Sequence, residues 1–374
     1  FFIDTFTSVF SFFGTQMQPT SISIILPVGI SFYTFQTLSY TIDLYKGKIT
    51  PTKNVVVFFA FVSFFPQLVA GPIERASRLL PQFAKKRKFE YSKQVDGLRL
   101  ILGGLFKKMV IADNCALLAN QIFESYPTQS GSTLFAGAVF FAFQIYGDFS
   151  GYSDIAIGSS RLLGFDLMKN FNFPYLSQNM SEFWKRWHIS LSSWFRDYVY
   201  IPLGGSRVSN GRLVLNIMIV FLVSGLWHGA NLTFVFWGGI HALFVIPVII
   251  LHKKYKTHTT SAPVAIWRQL LNIGATFSMV VLAWVFFRAP TITDAFGYID
   301  IIFSSSLFTM PMVSRSALLF VFMYMICEWF QRHRAHVLDV SHVSRPIRYC
   351  IYYLVCFAIF YFAGDLQPFI YFQF

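Results

Sequence analysis

Apolar stretches long enough to cross a bilayer recur along the whole chain, and no other feature of the sequence restricts its fold as strongly. About 20 apolar residues cross the hydrocarbon core as one α-helix, whereas strands of a membrane β-barrel are segments of about 10 residues with alternating polarity. The stretches here have the helical length. We therefore expect an all-α integral membrane protein, folded as a multi-span helical bundle. The predicted spans are residues 22–44, 133–149, 213–226, 230–251, 269–287, 317–330 and 347–363.

The composition excludes a soluble domain. Hydrophobic residues make up 55% of the 374 residues, which is more apolar surface than a soluble protein of this size can bury. The formal net charge is +13, and many cations stand in short clusters between apolar stretches, such as Lys85 to Lys88. That arrangement is typical of cytoplasmic loops facing anionic headgroups, so we expect membrane lipid as a partner and no nucleic acid.

Two apolar stretches are too irregular for ordinary spans. Residues 55–83 are interrupted by Pro66, Gly71 and Pro72, and basic clusters flank the stretch on both sides. Broken backbone at membrane depth is tolerated only where protein or a water cavity surrounds it, so we predict a re-entrant segment that lines a cavity. Residues 98–119 carry charged side chains inside an apolar run, which places this stretch in the bundle interior or with its ends at the interface.

The longest polar interruption covers residues 164–212 and is predicted to be an interfacial or re-entrant insert. Its pattern predicts a helix over residues 181–198 with Ser181 as the N-cap. Aromatic residues on one face and charged residues on another are typical of a helix in the membrane interface. The aromatic face would hold Trp184, His188, Leu191 and Phe195.

Two histidines are candidate catalytic residues. His228 lies between two apolar stretches in SGLWHGAN, where an ionisable side chain is costly and therefore suggests a function. Burial disfavours the imidazolium, and a neutral imidazole is what a general base requires. His188 lies beside Trp187. It is either a second polar group of the same cavity or a residue without a catalytic role in a belt of aromatic residues at the membrane interface. Position alone also leaves open a structural role for His228 at a helix junction.

No motif supports a metal centre, a disulfide framework or nucleotide chemistry. Asp148 and Asp154 end the predicted span at 133–149, but their spacing does not suit a metal ion. We expect Asp148 to pair with the basic residues of 185–207. The four cysteines form no CxxC pair and are expected to be small buried apolar residues.

Seven strings, taken together and in order, resemble the membrane-bound O-acyltransferases, and within them the bacterial alginate and peptidoglycan O-acetyltransferase branch. The resemblance implies one membrane-embedded domain over residues 1–374, with tilted, re-entrant and interfacial helices around a central tunnel. It also implies further spans ahead of VGISFY, so N-terminal spans are expected to be missing from this sequence. The strings are LPVGISFYTFQTLSYTIDLYKG, FFPQLVAGPIERASRLLPQF, GLFKKMVIADN, FQIYGDFSGYSDIAIGSSRLLGF, FWKRWHISLSSWFRDYVYIPLGGSR, GLWHGANLTFVFWGGIHAL and PFIYFQF.

The resemblance also assigns roles to individual residues. His228 of the WHG motif is the implied catalytic histidine, and His188 of the RWHIS motif is its implied support. The implied acetyl donor is acetyl-CoA, and no metal is implied. Basic residues that would hold the phosphates of CoA are Lys107, Lys108, Lys185, Arg186 and Arg207. Residues that would line the tunnel are Gln36, Gln144, Tyr146, Asp148, Trp184, Trp187, Trp227 and Asn231.

The implied reaction carries acetyl across a bacterial cytoplasmic (inner) membrane for O-acetylation of an envelope polysaccharide such as alginate or peptidoglycan. A separate extracytoplasmic acetyltransferase is the implied partner protein. His228 would act as the general base for the attacking hydroxyl, or would itself carry the acetyl group. Two other functions stay open, namely D-alanyl transfer from a carrier protein and a non-catalytic saccharide transporter or scaffold.

Overall fold

The computed structural model describes residues 29–229, 231–255 and 265–370, and the part of the predicted 22–44 span before residue 29 lies outside these ranges. Within them the chain forms fourteen α-helices and no β-strand, so the all-α prediction is confirmed. The helices are α1 (Ile30–Tyr45), α2 (Val55–Val62), α3 (Ala76–Ala84), α4 (Tyr91–Phe106), α5 (Asp113–Glu124), α6 (Gly131–Leu162), α7 (Met180–Arg186), α8 (Ile189–Phe195), α9 (Asn210–His228), α10 (Leu232–Tyr255), α11 (Ile266–Arg288), α12 (Ile292–Ile302), α13 (Arg315–Gln331) and α14 (Arg345–Phe362).

Four of the described helices, α6, α9, α10 and α11, are long and apolar enough to cross a membrane. The other predicted spans correspond to α1, α13 and α14, which have 16, 17 and 18 residues. The 32 residues of α6 extend about 48 Å, and most of them are buried by surrounding helices. This burial explains why α6 carries Gln144, Asp148 and Ser153, because these side chains contact protein rather than lipid.

Two pairs of glycines bring α4 and α6 into close contact. A Cβ at Gly104 would lie 2.5 Å from the carbonyl oxygen of Gly151, and a Cβ at Gly158 would lie 2.5 Å from that of Gly97. Small residues let the two backbones approach closely, as is common between membrane helices. This packing also holds α6 against the π-helical turn Lys107–Ala112 that follows α4.

The stretch at residues 55–83 is broken, as predicted. Helix α2 has eight residues and is about 12 Å long, less than half of a hydrocarbon core of about 30 Å. Turns follow α2, and α3 then carries Pro81 in its interior. The location of both flanking basic clusters on the cytoplasmic side stays a prediction.

The prediction of a single helix over residues 181–198 is wrong, because the helix is interrupted at His188. Helices α7 and α8 meet there, and the backbone of His188 is left-handed, with φ 43° and ψ 55°. Asn179 rather than Ser181 caps α7, and its side chain accepts a hydrogen bond from the backbone N–H of Glu182 at 2.9 Å. The continuous aromatic face expected along this helix is therefore absent.

After α14 the chain returns across the bundle as a strap without regular secondary structure, residues 363–370. The backbone N–H of Gly364 donates to the carbonyl oxygen of Met109 at 2.9 Å. The ammonium group of Lys108 donates to the carbonyl oxygen of Gln367 at 3.1 Å. The strap is thus tied to the π-helical turn between α4 and α5.

Asp148 is the second anchor of the strap, because its Oδ2 accepts a hydrogen bond from the backbone N–H of Ile370 at 2.6 Å. The ammonium group of Lys108 lies 2.9 Å from Asp148 and 2.8 Å from Asp113. The expected pairing of Asp148 with cations of 185–207 is therefore wrong. The close packing of α6 against the π-helical turn brings Lys108 to this carboxylate instead.

The expectation of four buried cysteines is only partly correct. Cys115 is buried, whereas Cys327 and Cys350 are exposed on α13 and α14. These outer faces carry mostly large apolar side chains, so in a membrane they would contact lipid. A thiol behaves as a small hydrophobic group there just as it does in the interior.

Candidate active site

The side chains of His188 and His228 line one narrow cavity of about 90 Å³. A volume of this size holds about three water molecules, or a group as small as acetyl. Helices α6, α9 and α11 and the end of the strap supply most of the wall. The lining residues are Ser31, Ile145, Phe149, Trp187, His188, Trp227, His228, Trp284, Phe287 and Ile370.

One ring nitrogen of His188 is held by hydrogen bonding and the other is not. Nδ1 lies 3.1 Å from Oδ1 of Asn170, which also accepts hydrogen bonds from the backbone N–H and the hydroxyl of Ser190, at 3.3 and 2.9 Å. Nε2 is buried and has no hydrogen-bond partner among the residues that the structure describes. The rings of Phe149 and Trp227 enclose the imidazole, with centroids 4.7 and 6.3 Å away. A hydrogen-bond donor bound against this nitrogen would satisfy it.

The loop that carries Asn170 is itself fixed from two sides. The Nδ2 of Asn170 donates to the hydroxyl of Ser153 on α6 at 3.1 Å. In the same loop, the backbone N–H of Met168 donates to the carboxyl group of Glu74. Glu74 lies between α2 and α3 and is fully buried, and this burial raises its pKa from 4.5 to about 7. The segment between α2 and α3 therefore supports the loop that reaches His188.

His228 is the last residue of α9 and packs among aromatic rings. Its ring centroid lies 4.7 Å from that of Trp227, 5.3 Å from that of Trp237 and 5.2 Å from that of Phe287. Helices α9 and α10 form a tight hairpin, since a Cβ at Gly225 would collide with the backbone of α10. The hairpin holds His228 on the cavity wall, with its ring packed against Trp237 of α10 and Phe287 of α11.

Among the residues predicted to line a tunnel, Trp187 and Trp227 line this cavity. Trp184 instead lines a second cavity of about 420 Å³, which α7, α8, α9 and α10 enclose. Asn231 lies ahead of α10 and donates to the carbonyl oxygen of Pro290 at 3.0 Å, so it ties α10 to the end of α11.

The remaining predicted tunnel residues are buried in the bundle and do not line the cavity. The side chain of Gln36 donates to the carbonyl oxygen of Phe61 at 2.7 Å. The hydroxyl of Tyr146 donates to the carboxylate of Glu328 at 2.5 Å. These contacts brace the helices around the site. The residues in question are Gln36, Gln144, Tyr146 and Asp148.

The five cations predicted to hold phosphates fall into two groups. Lys107, Lys108 and Arg186 each pair with a carboxylate, at N···O distances between 2.6 and 2.9 Å. Lys185 and Arg207 are exposed and have no ion-pair partner within residues 29–229, 231–255 and 265–370. Phosphate binding by any of the five stays a prediction.

Sequence reasoning missed several residues of the site. Asn170 lies in the polar string KNFNFP and shows no periodicity or motif that points to His188. Trp284 and Phe287 look like ordinary residues of an apolar span. Ile370 belongs to PFIYFQF, and the match of this string to a family was the one available signal. In the described part of the chain, no three His, Cys, Asp or Glu side chains come together as metal ligands.

A sequence model described as MBOAT, membrane-bound O-acyltransferase family, matches residues 50–289. The probable alginate O-acetylase AlgI of Pseudomonas aeruginosa is 40% identical over 319 residues, which are 85% of this chain and 59% of that protein. The protein of the same name from Azotobacter vinelandii is 41% identical over 320 residues, 85% of this chain and 62% of that protein.

The peptidoglycan O-acetyltransferase of Helicobacter pylori is also similar, with 38% identity over 306 residues, 74% of this chain and 56% of that protein. The chain thus spans about three fifths of the length of these relatives. The matched family range includes His188, His228 and Asn170.

Proposed function

The chain belongs to the membrane-bound O-acyltransferase family, and from that premise we propose that it is a membrane O-acetyltransferase for a cell-envelope polysaccharide. The donor is a cytoplasmic thioester, acetyl-CoA, and the acceptor is a hydroxyl on the other side of the membrane. The observation that carries the proposal is the pair of imidazoles, His188 and His228, on one cavity of about 90 Å³. Such a cavity accommodates an acetyl group beside two groups able to accept a proton.

His228 is the proposed general base. It accepts the proton of the attacking hydroxyl while the hydroxyl oxygen forms a bond to the carbonyl carbon of the thioester. The C–S bond then breaks, and the leaving thiolate takes the proton from the imidazolium. The aromatic walls exclude water, which would otherwise hydrolyse the thioester. Direct acetylation of the same imidazole is the alternative course.

The donor's phosphates need cations at the cytoplasmic mouth of the site. Lys185 and Arg207 are the stronger candidates among the five predicted ligands, because both are exposed and lack a described carboxylate partner. Lys185 also lies on the wall of the second cavity, together with Arg196. Lys107, Lys108 and Arg186 would first have to leave their carboxylates.

We propose the acceptor from the names of the relatives, and the partner protein from the family resemblance of the sequence. Their names give alginate and peptidoglycan as acetylated polymers, and we assign an acceptor of the same class to this chain. A separate extracytoplasmic acetyltransferase receives the acetyl group and completes its transfer. The chain itself lies in the bacterial inner membrane.

The test measures ester-linked acetate on envelope polysaccharide in cells that carry the full-length protein, its His228→Ala variant or its His342→Ala variant at equal membrane levels. His342 is exposed ahead of α14 and serves as the matched control. Loss of acetate in His228→Ala alone supports acetyl transfer at this cavity. Wild-type acetate in His228→Ala refutes the proposal, and ester-linked D-alanine in place of acetate would favour transfer from a carrier protein.

A further inference from the structure

We infer that Asn170 is a positioning residue that decides which nitrogen of His188 carries the proton, so that Nε2 presents a lone pair to the cavity. The inference rests on the proposed function only where it makes that lone pair a hydrogen-bond acceptor for the bound substrate, while His228 stays the base for the attacking hydroxyl. Nothing in the sequence of the loop identifies Asn170, and its role follows from its hydrogen bonds.

The orientation of the Asn170 amide is fixed by a neighbour that can only donate. The backbone N–H of Ser190 lies 3.3 Å from the amide atom that also faces His188, so that atom is the oxygen Oδ1. The opposite atom, Nδ2, donates to the hydroxyl of Ser153 at 3.1 Å. The reversed amide would place two donors against each other at Ser190.

The amide orientation determines the tautomer of His188. Because Oδ1 of Asn170 can only accept, Nδ1 of His188 must carry the hydrogen of the 3.1 Å contact. The hydroxyl of Ser190 is 3.5 Å from Nδ1 but 2.9 Å from Oδ1, so its hydrogen also goes to Asn170. In a neutral imidazole with hydrogen on Nδ1, Nε2 is an acceptor, and Nε2 is the buried nitrogen without a partner in the described part of the chain.

Asn170 also holds the backbone turn that brings His188 to the cavity. Its carbonyl oxygen accepts the backbone N–H of Ile189 at 2.8 Å, and its side chain accepts that of Ser190. His188 between them has the left-handed backbone, which a residue with a side chain adopts only when its surroundings impose it. One residue therefore fixes both the position of the ring and the location of its proton.

Among the residues that the structure describes, few groups near the ring would set its charge. Phe32 of α1, Phe149 of α6 and Phe171 of the loop pack around it. The titratable group that faces it is His228 at the end of α9. An amide at position 170 fits this site, because a carboxylate there would stabilise an imidazolium and remove the lone pair.

The test uses the full-length protein in lipid nanodiscs, with the variants Asn170→Asp and Asn170→Ala and the control Asn172→Asp. Asn172 lies in the same loop, but its side chain contacts Lys169 rather than His188. The measurement is kcat for acetyl transfer as a function of pH, together with KM for acetyl-CoA. A melting curve of each variant verifies that it is folded.

We expect Asn170→Asp to move the acidic limb of the kcat profile upward by at least about one pH unit, since one added carboxylate beside an imidazole has an effect of this order. Asn170→Ala should lower kcat about tenfold or more at every pH, with KM changed less than threefold. Asn172→Asp should keep the wild-type profile. A wild-type profile in folded Asn170→Asp would overturn the inference.

A second readout does not depend on activity. In protein labelled with ¹⁵N-histidine, the signals of His188, assigned by their loss in His188→Gln, should show a protonated Nδ1 and an unprotonated Nε2. The opposite tautomer would overturn the inference even if the enzyme is active. The expected tautomer in a protein that transfers no acetyl would uphold the role of Asn170 and reject only the proposed function.

Discussion

The backbone N–H of Ile370 donates to Oδ2 of Asp148 at 2.6 Å, and the side chain of Ile370 closes one wall of the cavity that holds both histidines. A carboxylate in the middle of α6 thus fixes the end of the strap that follows α14. The strap lies far in sequence from both His188 and His228, and its anchor Asp148 is buried in the bundle.

Removing the carboxylate of Asp148 should release the end of the strap from α6. In Asp148→Ala the strap loses an acceptor and Lys108 loses one of its two carboxylates, which should cost less than the roughly 3–5 kcal/mol of a fully unpaired buried charge because Asp113 remains 2.8 Å from Lys108. We expect a clearly lower melting temperature and little acetyl transfer, whereas Asp148→Asn, which keeps an acceptor oxygen, should fall between. Melting and transfer assays measure both effects. Asp300→Ala is the control, because Asp300 is exposed on α12, and equal loss in it would contradict the account.

The cavity wall should also limit the length of the acyl group. The variant Ile370→Ala removes three carbons from the wall, and one methylene in a pocket changes discrimination by about 10-fold or more. We therefore expect the rate with propionyl-CoA relative to acetyl-CoA to rise about tenfold. Ile359→Ala removes the same atoms from a buried site on α14 that does not line the cavity, and it should keep the wild-type ratio. Competition between the two thioesters measures the ratio, and an unchanged ratio in Ile370→Ala would remove Ile370 from the site.

Most of the helices could be predicted, and His228 could be singled out as a candidate, because their signals are local. Apolar runs of spanning length form helices in any membrane protein, and an ionisable group such as His228 inside such a run is conspicuous. The cavity, however, is assembled from parts far apart in the chain. Ile370 reaches it only because Asp148 and Lys108 hold the strap, and neither residue reveals that partner in its own neighbourhood.

The break at His188 could not be predicted for the same reason. The pattern from residue 181 to 198 has a helical period, and local propensity favours one continuous helix. The helix is interrupted because Asn170, from another segment, accepts the backbone hydrogen bonds of Ile189 and Ser190. A tertiary contact thus overrides the local pattern at the very residue that enters the site.

The glycine contact between α4 and α6 should not tolerate a side chain. In Gly104→Ala the new Cβ would lie 2.5 Å from the carbonyl oxygen of Gly151, so the helices must separate. We expect a loss of about 1–3 kcal/mol, the usual effect of overpacking, seen as a lower melting temperature in detergent. Gly274→Ala on α11 meets no atom of the described residues within 4 Å and should be neutral or slightly stabilising. Similar melting curves for the two variants would contradict close packing between α4 and α6.

Glu74 should make the stability of the protein depend on pH. Its pKa is about 7 in the folded state, against 4.5 for an ordinary glutamate as in the unfolded chain, because burial disfavours the carboxylate. The folded state therefore holds this proton more tightly, and the resulting stability is complete below about pH 4.5 and is lost as the pH rises to about 7. The melting temperature of Glu74→Gln relative to wild type should rise across that interval and level off above it. Glu90 is exposed, so the melting temperature of Glu90→Gln should follow that of wild type at every pH. If the melting temperature of Glu74→Gln also followed wild type at every pH, Glu74 would not titrate in this way.

The two histidines of the cavity should differ in how much activity their loss removes. His228, the proposed base, should be indispensable, and His228→Ala should lower kcat by about 10³-fold, within the usual range for general-base catalysis. His188 is held by Asn170 and offers one hydrogen-bond acceptor, so His188→Ala should keep measurable transfer, and His188→Gln, which retains an acceptor, should keep more. The control is His241→Phe, which should keep the wild-type rate. His241 is fully buried and does not line the cavity, and its ring stacks on that of Phe183. Single-turnover assays of the purified variants measure the ranking.

Equal loss in His188→Ala and His228→Ala would mean that the two imidazoles share the proton transfer. A larger loss in His188→Ala would make His188, with its oriented Nε2, the base.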